Sequence, residues 1–178
     1  MMRAVGLFVA VSALVMGCAG VPKSRSERAE VTADAHQTLQ EMVAKDPDVQ
    51  GLIDQSAGYI IFPSVKQGGA IVGGAGGSGV VYENGRRTGY AALSQASIGA
   101  QLGGQKYSEL VIVRDRDKLE SMKSGKFDVG AQASAVILKQ GAASATRFGK
   151  NGVAVFVQPK GGAMVNVSVS GQQISFRG

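Results

Sequence analysis

Between Val31 and Val43 the apolar residues fall on one helical stripe. Val31, Ala35, Leu39, Met42 and Val43 recur at i, i+4, i+8, i+11 and i+12, while Glu30, Asp34, Gln37 and Glu41 face elsewhere. Ser24 and Glu27 have the spacing of a capping box, with Thr32 as an alternative start of the regular turn. Asp46 and Pro47 break and restart the chain, Asp46 as N-cap and Pro47 at the first helical position. A second, shorter helix then carries Val49, Leu52, Ile53 and Ala57 inward and stops at Gly58.

After Gly58 the period becomes that of strands. Short β-branched or aromatic runs occupy Tyr59 to Phe62, Ala70 to Val72, Val80 to Tyr82, Thr88 to Leu93, Leu110 to Val113, Ala133 to Leu138, Val153 to Val157 and Met164 to Val169. Most are separated by glycine-rich turns, and the Asn84-Gly85 pair between two runs is a strong hairpin signal. One helical interruption is expected from Asp115 to Met122, around Leu119 and Met122. The expectation is an α+β domain: two N-terminal helices followed by a mostly antiparallel, curled or barrel-like β-sheet.

The beginning of the chain changes the picture. Met1, Met2 and Arg3 form a short positive region, and Ala4 to Met16 is an apolar run of signal-peptide length, too short to cross a hydrocarbon core about 30 Å thick. Val15, Met16, Gly17 and Cys18 resemble the lipobox of bacterial lipoproteins. That resemblance implies diacylglyceryl transfer to the Cys18 sulfur, cleavage after Gly17 and acylation of the new amino terminus. The expected organisation is a signal peptide over 1–17, a lipidated N-terminus and tether over 18–28, and one domain over 29–178. Ala19 is not the aspartate that lipoprotein sorting associates with inner-membrane retention, so the expected location is the outer membrane, facing the periplasm.

Composition narrows the chemistry. The 178 residues include 26 glycines and one cysteine, which leaves no disulfide framework and no cysteine-based zinc site. Net charge is +6, but export argues against nucleic acid as a partner and points to an anionic membrane instead. Residues 18–64 carry four bases against seven acids, and 129–178 carry five bases and no acid, so the sheet portion is the basic one. The plainer reading of those bases is solvated loop residues that blunt edge strands.

Sites for catalysis do not assemble. Gly74, Gly76 and Gly79 satisfy G-x-G-x-x-G, but Val80, Val81 and Tyr82 follow where a helix would have to receive a pyrophosphate. Val80 also stands where a G-x-S-x-G elbow around Ser78 needs glycine. His36, the sole histidine, lies on the polar side of the first helix. The chain is therefore read as non-enzymatic, with no cofactor and no metal.

The glycine pattern matches something else. Ala57 to Lys66, then Gly68, Gly69, Gly73, Gly74 and Gly79 to Tyr82, continuing through Gly89, Tyr90, Gly99, Gln101 to Gln105, Glu109 to Val113 and Gly130, closely resemble the SYLF-domain family. Tyr90 stands where many relatives have tryptophan. The resemblance implies a lipid-binding domain; family members bind membrane lipids, notably phosphoinositides in eukaryotes, and some fungal members bind actin. For an exported chain the implied ligand becomes an anionic phospholipid headgroup. Arg86 and Arg87 beside the hairpin tip, with Lys66 and Lys106 next to glycine-rich turns, are the candidate contacts. The alternative is a structural lipoprotein whose domain contacts another envelope protein.

Overall fold

The computed structural model describes residues 20–69, 72–98, 104–125, 135–145, 148, 152–161 and 171–178. Helix α1 runs over Arg25–Lys45 and starts at a complete capping box: the Ser24 hydroxyl accepts from the Glu27 amide at 3.1 Å, and the Glu27 carboxylate accepts from the Ser24 amide at 3.0 Å. Helix α2 spans Asp48–Asp54, with Pro47 as its cap in helical conformation. Asp46 is buried, and its carboxylate accepts from the amides of Asp48 at 3.4 Å and Ala143 at 2.7 Å. It thereby ties the start of α2 to a segment 97 residues away. Gly58 does not stop α2. It opens the first strand, where a methyl group would come within 2.6 Å of the Tyr82 carbonyl oxygen.

The remaining elements are β1 (Gly58–Gly69), β2 (Val72–Glu83), β3 (Arg86–Ile98), β4 (Gly104–Val113), α3 (Arg116–Lys123), β5 (Ala135–Ile137), the single turn α4 (Ala142–Ala145), β6 (Val153–Gly161) and β7 (Gln172–Arg177). The strands form one sheet in the order β5-β6-β4-β1-β2-β3-β7, antiparallel except for the β5–β6 pair. The α+β class with a mostly antiparallel sheet is therefore what the chain forms. No ladder joins the edges β5 and β7 among the described residues, so the strands make an open sheet and not a closed barrel.

The glycine-rich run 73–79 is not a turn but the body of β2. Glycine is required there by close approach: a methyl on Gly79 would stand 2.5 Å from the Phe62 ring, and one on Gly77 2.7 Å from the Ser64 carbonyl oxygen. Both contacts border the register shift in β1 between Ile61 and Lys66. The run Met164 to Val169 lies outside the described residues.

Strand alternation gives two cores. On one face Val31, Ala35, Met42 and Val49 of the helices pack on Tyr59, Ile61, Val80, Tyr90, Leu110, Ile112 and Phe156. On the other, Ile60, Phe62, Val65, Leu93, Val111 and Val155 are covered by Leu119 and Met122 of α3 and by Ile174 and Phe176 of β7. Lys123 of α3 anchors to Glu83 of β2 at 3.0 Å. The sheet cannot be flat. Gln172 of β7 donates to the Glu109 carboxylate of β4 at 2.9 Å although three strands stand between them, and four strand spacings in a flat sheet are roughly 19 Å.

Candidate functional site

Lys66 and Lys106 face each other across the β1–β4 ladder, both exposed, on the face that carries α1. Neither ammonium group has an ion pair or hydrogen bond among the described residues. Like charges directly opposed on a sheet repel, so the pair weakens the fold by itself. The β2 partner of Lys66 is Gly76, so the lysine stems rise beside a strand with no side chain at that position.

Arg86 and Arg87 lie at the far end of the same strands. Asn84 (φ 50°) and Gly85 (φ 73°) form the two-residue turn that joins β2 to β3, and both left-handed positions match the Asn-Gly pair. From the level of Glu83, which pairs with Arg86, to that of Gly76 is about 23 Å along β2. The four candidate cations are therefore two groups and not one site. Arg86 is exposed, and its guanidinium has no partner among the described residues. Arg87 is engaged: its Nη1 donates to the Tyr90 hydroxyl at 2.6 Å and to the Thr32 hydroxyl at 3.3 Å, linking β3 to α1.

Three further features escape sequence reasoning. Arg28, in the first turns of α1, places its guanidinium 5.4 Å from the Tyr90 ring centroid, as Arg87 does. The segment before α1 lies on the body: Ser78 Oγ donates to the Gly20 carbonyl at 2.9 Å, Val21 packs against the helical-side core, and the buried Pro22 accepts from Arg28 Nε at 3.3 Å. Only Cys18 and Ala19 of the expected tether precede this attachment, and both lie outside the described residues. Ser78 stands on β2 between Gly76, opposite Lys66, and Val80, opposite Tyr90. The strapped segment thus lies between the lysine pair and the two arginines.

The third feature is on the opposite face. Gln105, Gln67, Ala75, Gln95 and Gln172 form one row across β4, β1, β2, β3 and β7. Beside it Glu109 is fully buried, with Gln172 as its hydrogen-bond donor. Burial pushes the Glu109 carboxyl up to about 7, against the opposing pull of that hydrogen bond. Burial and the neighbouring Glu109 likewise raise Tyr107.

Other elements of chemistry are dispersed. His36 is exposed on α1, and Gly74, Gly76 and Gly79 are interior residues of a strand that runs on to a hairpin. A depression of about 520 Å³ lies between the end of α2 and the start of α3, lined by Asp54, Arg114, Asp115 and Asp117 among others. It is open, and Arg114 and Asp115 pair with each other there at 3.4 Å. No group of three potential metal ligands and no helix long and apolar enough to cross a membrane occurs among the described residues.

Comparison with known proteins adds one finding. Residues 94–178 match the family model described as "Ysc84: Las17-binding protein actin regulator". No curated protein matches the chain. The matched stretch runs from the last third of β3 to the carboxyl terminus and contains Lys106, Glu109 and Gln172, whereas Lys66, Arg86 and Arg87 precede it. The match covers just under half of the chain and is consistent with the SYLF-domain resemblance of its glycine pattern.

Proposed function

We propose that this domain binds anionic phospholipid headgroups, without catalysing a reaction, at the surface of an envelope membrane to which Cys18 anchors the chain. The observation that carries the reading is the exposed Lys66–Lys106 pair, opposed in register and lacking a counter-ion among the described residues. An arrangement that repels itself in the free protein is relieved when a negative surface approaches. The segment leading from Cys18 is strapped to the same face, which favours presentation of that face to lipid.

Sedimentation of non-acylated protein with phosphatidylglycerol or phosphatidylcholine vesicles tests this. Binding to the anionic vesicles alone is expected, falling as salt rises. Each lysine near a charged surface contributes on the order of 1 kcal/mol, so Lys66→Gln with Lys106→Gln should weaken binding roughly 30-fold. Equal sedimentation with both vesicle types would remove the electrostatic mechanism. A protein partner is the other reading, since the family description names protein ligands. Capture of one envelope protein by crosslinking, with no vesicle affinity, would favour it.

A further inference from the structure

We infer that Arg28 and Arg87, both held at the Tyr90 ring, form a phosphate-binding pair that receives a phosphoryl oxygen anion beside the strapped amino-terminal segment. Both guanidiniums lie 5.4 Å from the same ring centroid, so they are no more than twice that distance apart. Attraction to the ring quadrupole holds each cation in place but does not neutralise it. The nearest carboxylates in sequence are taken up elsewhere. Glu27 accepts from the amides of Lys23 and Ser24 at 2.8 and 3.0 Å, and Glu83 holds Lys123 and Thr88 at 3.0 and 2.9 Å. Two positive groups are therefore held at one ring, with no carboxylate in ion-pair contact with either among the described residues.

The donors left over have the right chemistry. Arg28 uses Nε on the Pro22 carbonyl, and Arg87 uses Nη1 on the Tyr90 and Thr32 hydroxyls. Both Nη groups of Arg28, with Nε and Nη2 of Arg87, have no partner among the described residues. Two such forks suit a tetrahedral anion with several acceptor oxygens, which a lysine, as a point charge, does not match in geometry. Arg87 is exposed and Arg28 half-buried, so a ligand can approach, whereas Tyr90 beneath them is buried. The site is separate from the lysine pair and does not depend on it. The proposed lipid function bears only on where the phosphate comes from, a phospholipid headgroup or a free phosphate ester.

The experiment uses the purified protein and two probes: inorganic phosphate against chloride at matched ionic strength, read as a shift of the thermal midpoint, and phosphatidylglycerol vesicles. Phosphate is expected to raise the midpoint of the wild type. Arg28→Gln should weaken phosphate affinity about tenfold or more, the usual loss for a charge-assisted hydrogen bond. Arg87→Gln should do the same. Because Arg87 also ties β3 to α1, Arg28→Gln and Arg28→Lys decide the question if the Arg87 variant fails to fold, with Lys retaining charge but losing most of the affinity. Loss of both phosphate and vesicle binding supports the site with a lipid as the source. Loss of phosphate binding with vesicle binding intact supports the site and assigns it to a soluble phosphate. Lys66→Gln with Lys106→Gln, which tests the lipid reading, should leave phosphate affinity unchanged. Phosphate affinity in Arg28→Gln equal to that of the wild type overturns the inference.

Discussion

Glu109 shows how one residue sets a property of the whole protein. Its carboxyl is surrounded by Phe62, Val111 and Val157 positions of β1, β4 and β6, with Tyr107 and Gln172 as the polar groups on its side of the sheet. Burial holds it at about 7 in the fold against an ordinary 4.5, so the folded chain favours the protonated form. Its contribution to stability is therefore complete below about pH 4.5, declines as pH rises, and is lost once pH passes 7. The difference amounts to about 3 kcal/mol. The thermal midpoint is expected to fall by roughly 6–12 °C between about pH 5 and pH 8 from this group, and Glu109→Gln should flatten that slope. Glu83 and Glu27 do not mask the window, because both are lowered and titrate below it: burial raises Glu83, but the hydrogen bonds from Lys123 and Thr88 outweigh it. A level wild-type midpoint over the same range would show that Glu109 ionises in the fold at its ordinary value, unraised by burial.

Elements reveal what kind of information the sequence carries. The capping box of α1 and the Asn84-Gly85 hairpin are legible because the responsible residues are local neighbours, each with its own conformational signature. Strand β2 reads as glycine-rich turn because glycine disfavours strands by itself; what makes it a strand is the Phe62 ring and the β1 register shift beside it, which are not local. Strand β7 escapes the pattern because its inward residues are Gln172, Ile174 and Phe176, and the polar one spoils the apolar alternation. The two glycine roles separate experimentally. Gly79→Ala drives a methyl into Phe62 and should cost about 1–3 kcal/mol by overpacking. Gly85→Ala meets no atom within 4 Å and should cost about 1–2 kcal/mol through its left-handed φ alone, so a larger side chain there adds little. Denaturant midpoints that worsen from Ala to Leu at 79 but not at 85 would bear this out.

The candidate site is legible as a set of cations and not as geometry. Lys66 and Lys106 stand out separately in the sequence, each for an adjoining glycine turn, and only strand register makes them a pair. Arg28 gives no signal because an arginine in a first helical turn looks solvated; Tyr90, 62 positions on, gives it meaning.

At the scale of the molecule, the charge segregation seen along the chain is partly cancelled in space. Lys160 of β6 reaches Glu41 of α1 at 3.8 Å and Thr38 at 3.2 Å, and Lys123 reaches Glu83. Cations left without an ion pair on the helical face among the described residues include Lys66, Lys106, Arg28 and Arg87, with the strapped segment among them. That strap rests on few contacts. Ser78→Ala combined with Val21→Ala should release it and speed tryptic cleavage after Lys23 several-fold, with little change in global stability. Cleavage at the wild-type rate would mean that the segment opens independently of both contacts.

The shortness of that strap has a consequence for reach. Two residues, Cys18 and Ala19, span at most about 7 Å. A body acylated at Cys18 would have almost no swing. It would drift and tilt with its own leaflet, blind to anything a domain's width above it, and whatever it senses or steadies would have to arrive sideways, in the plane.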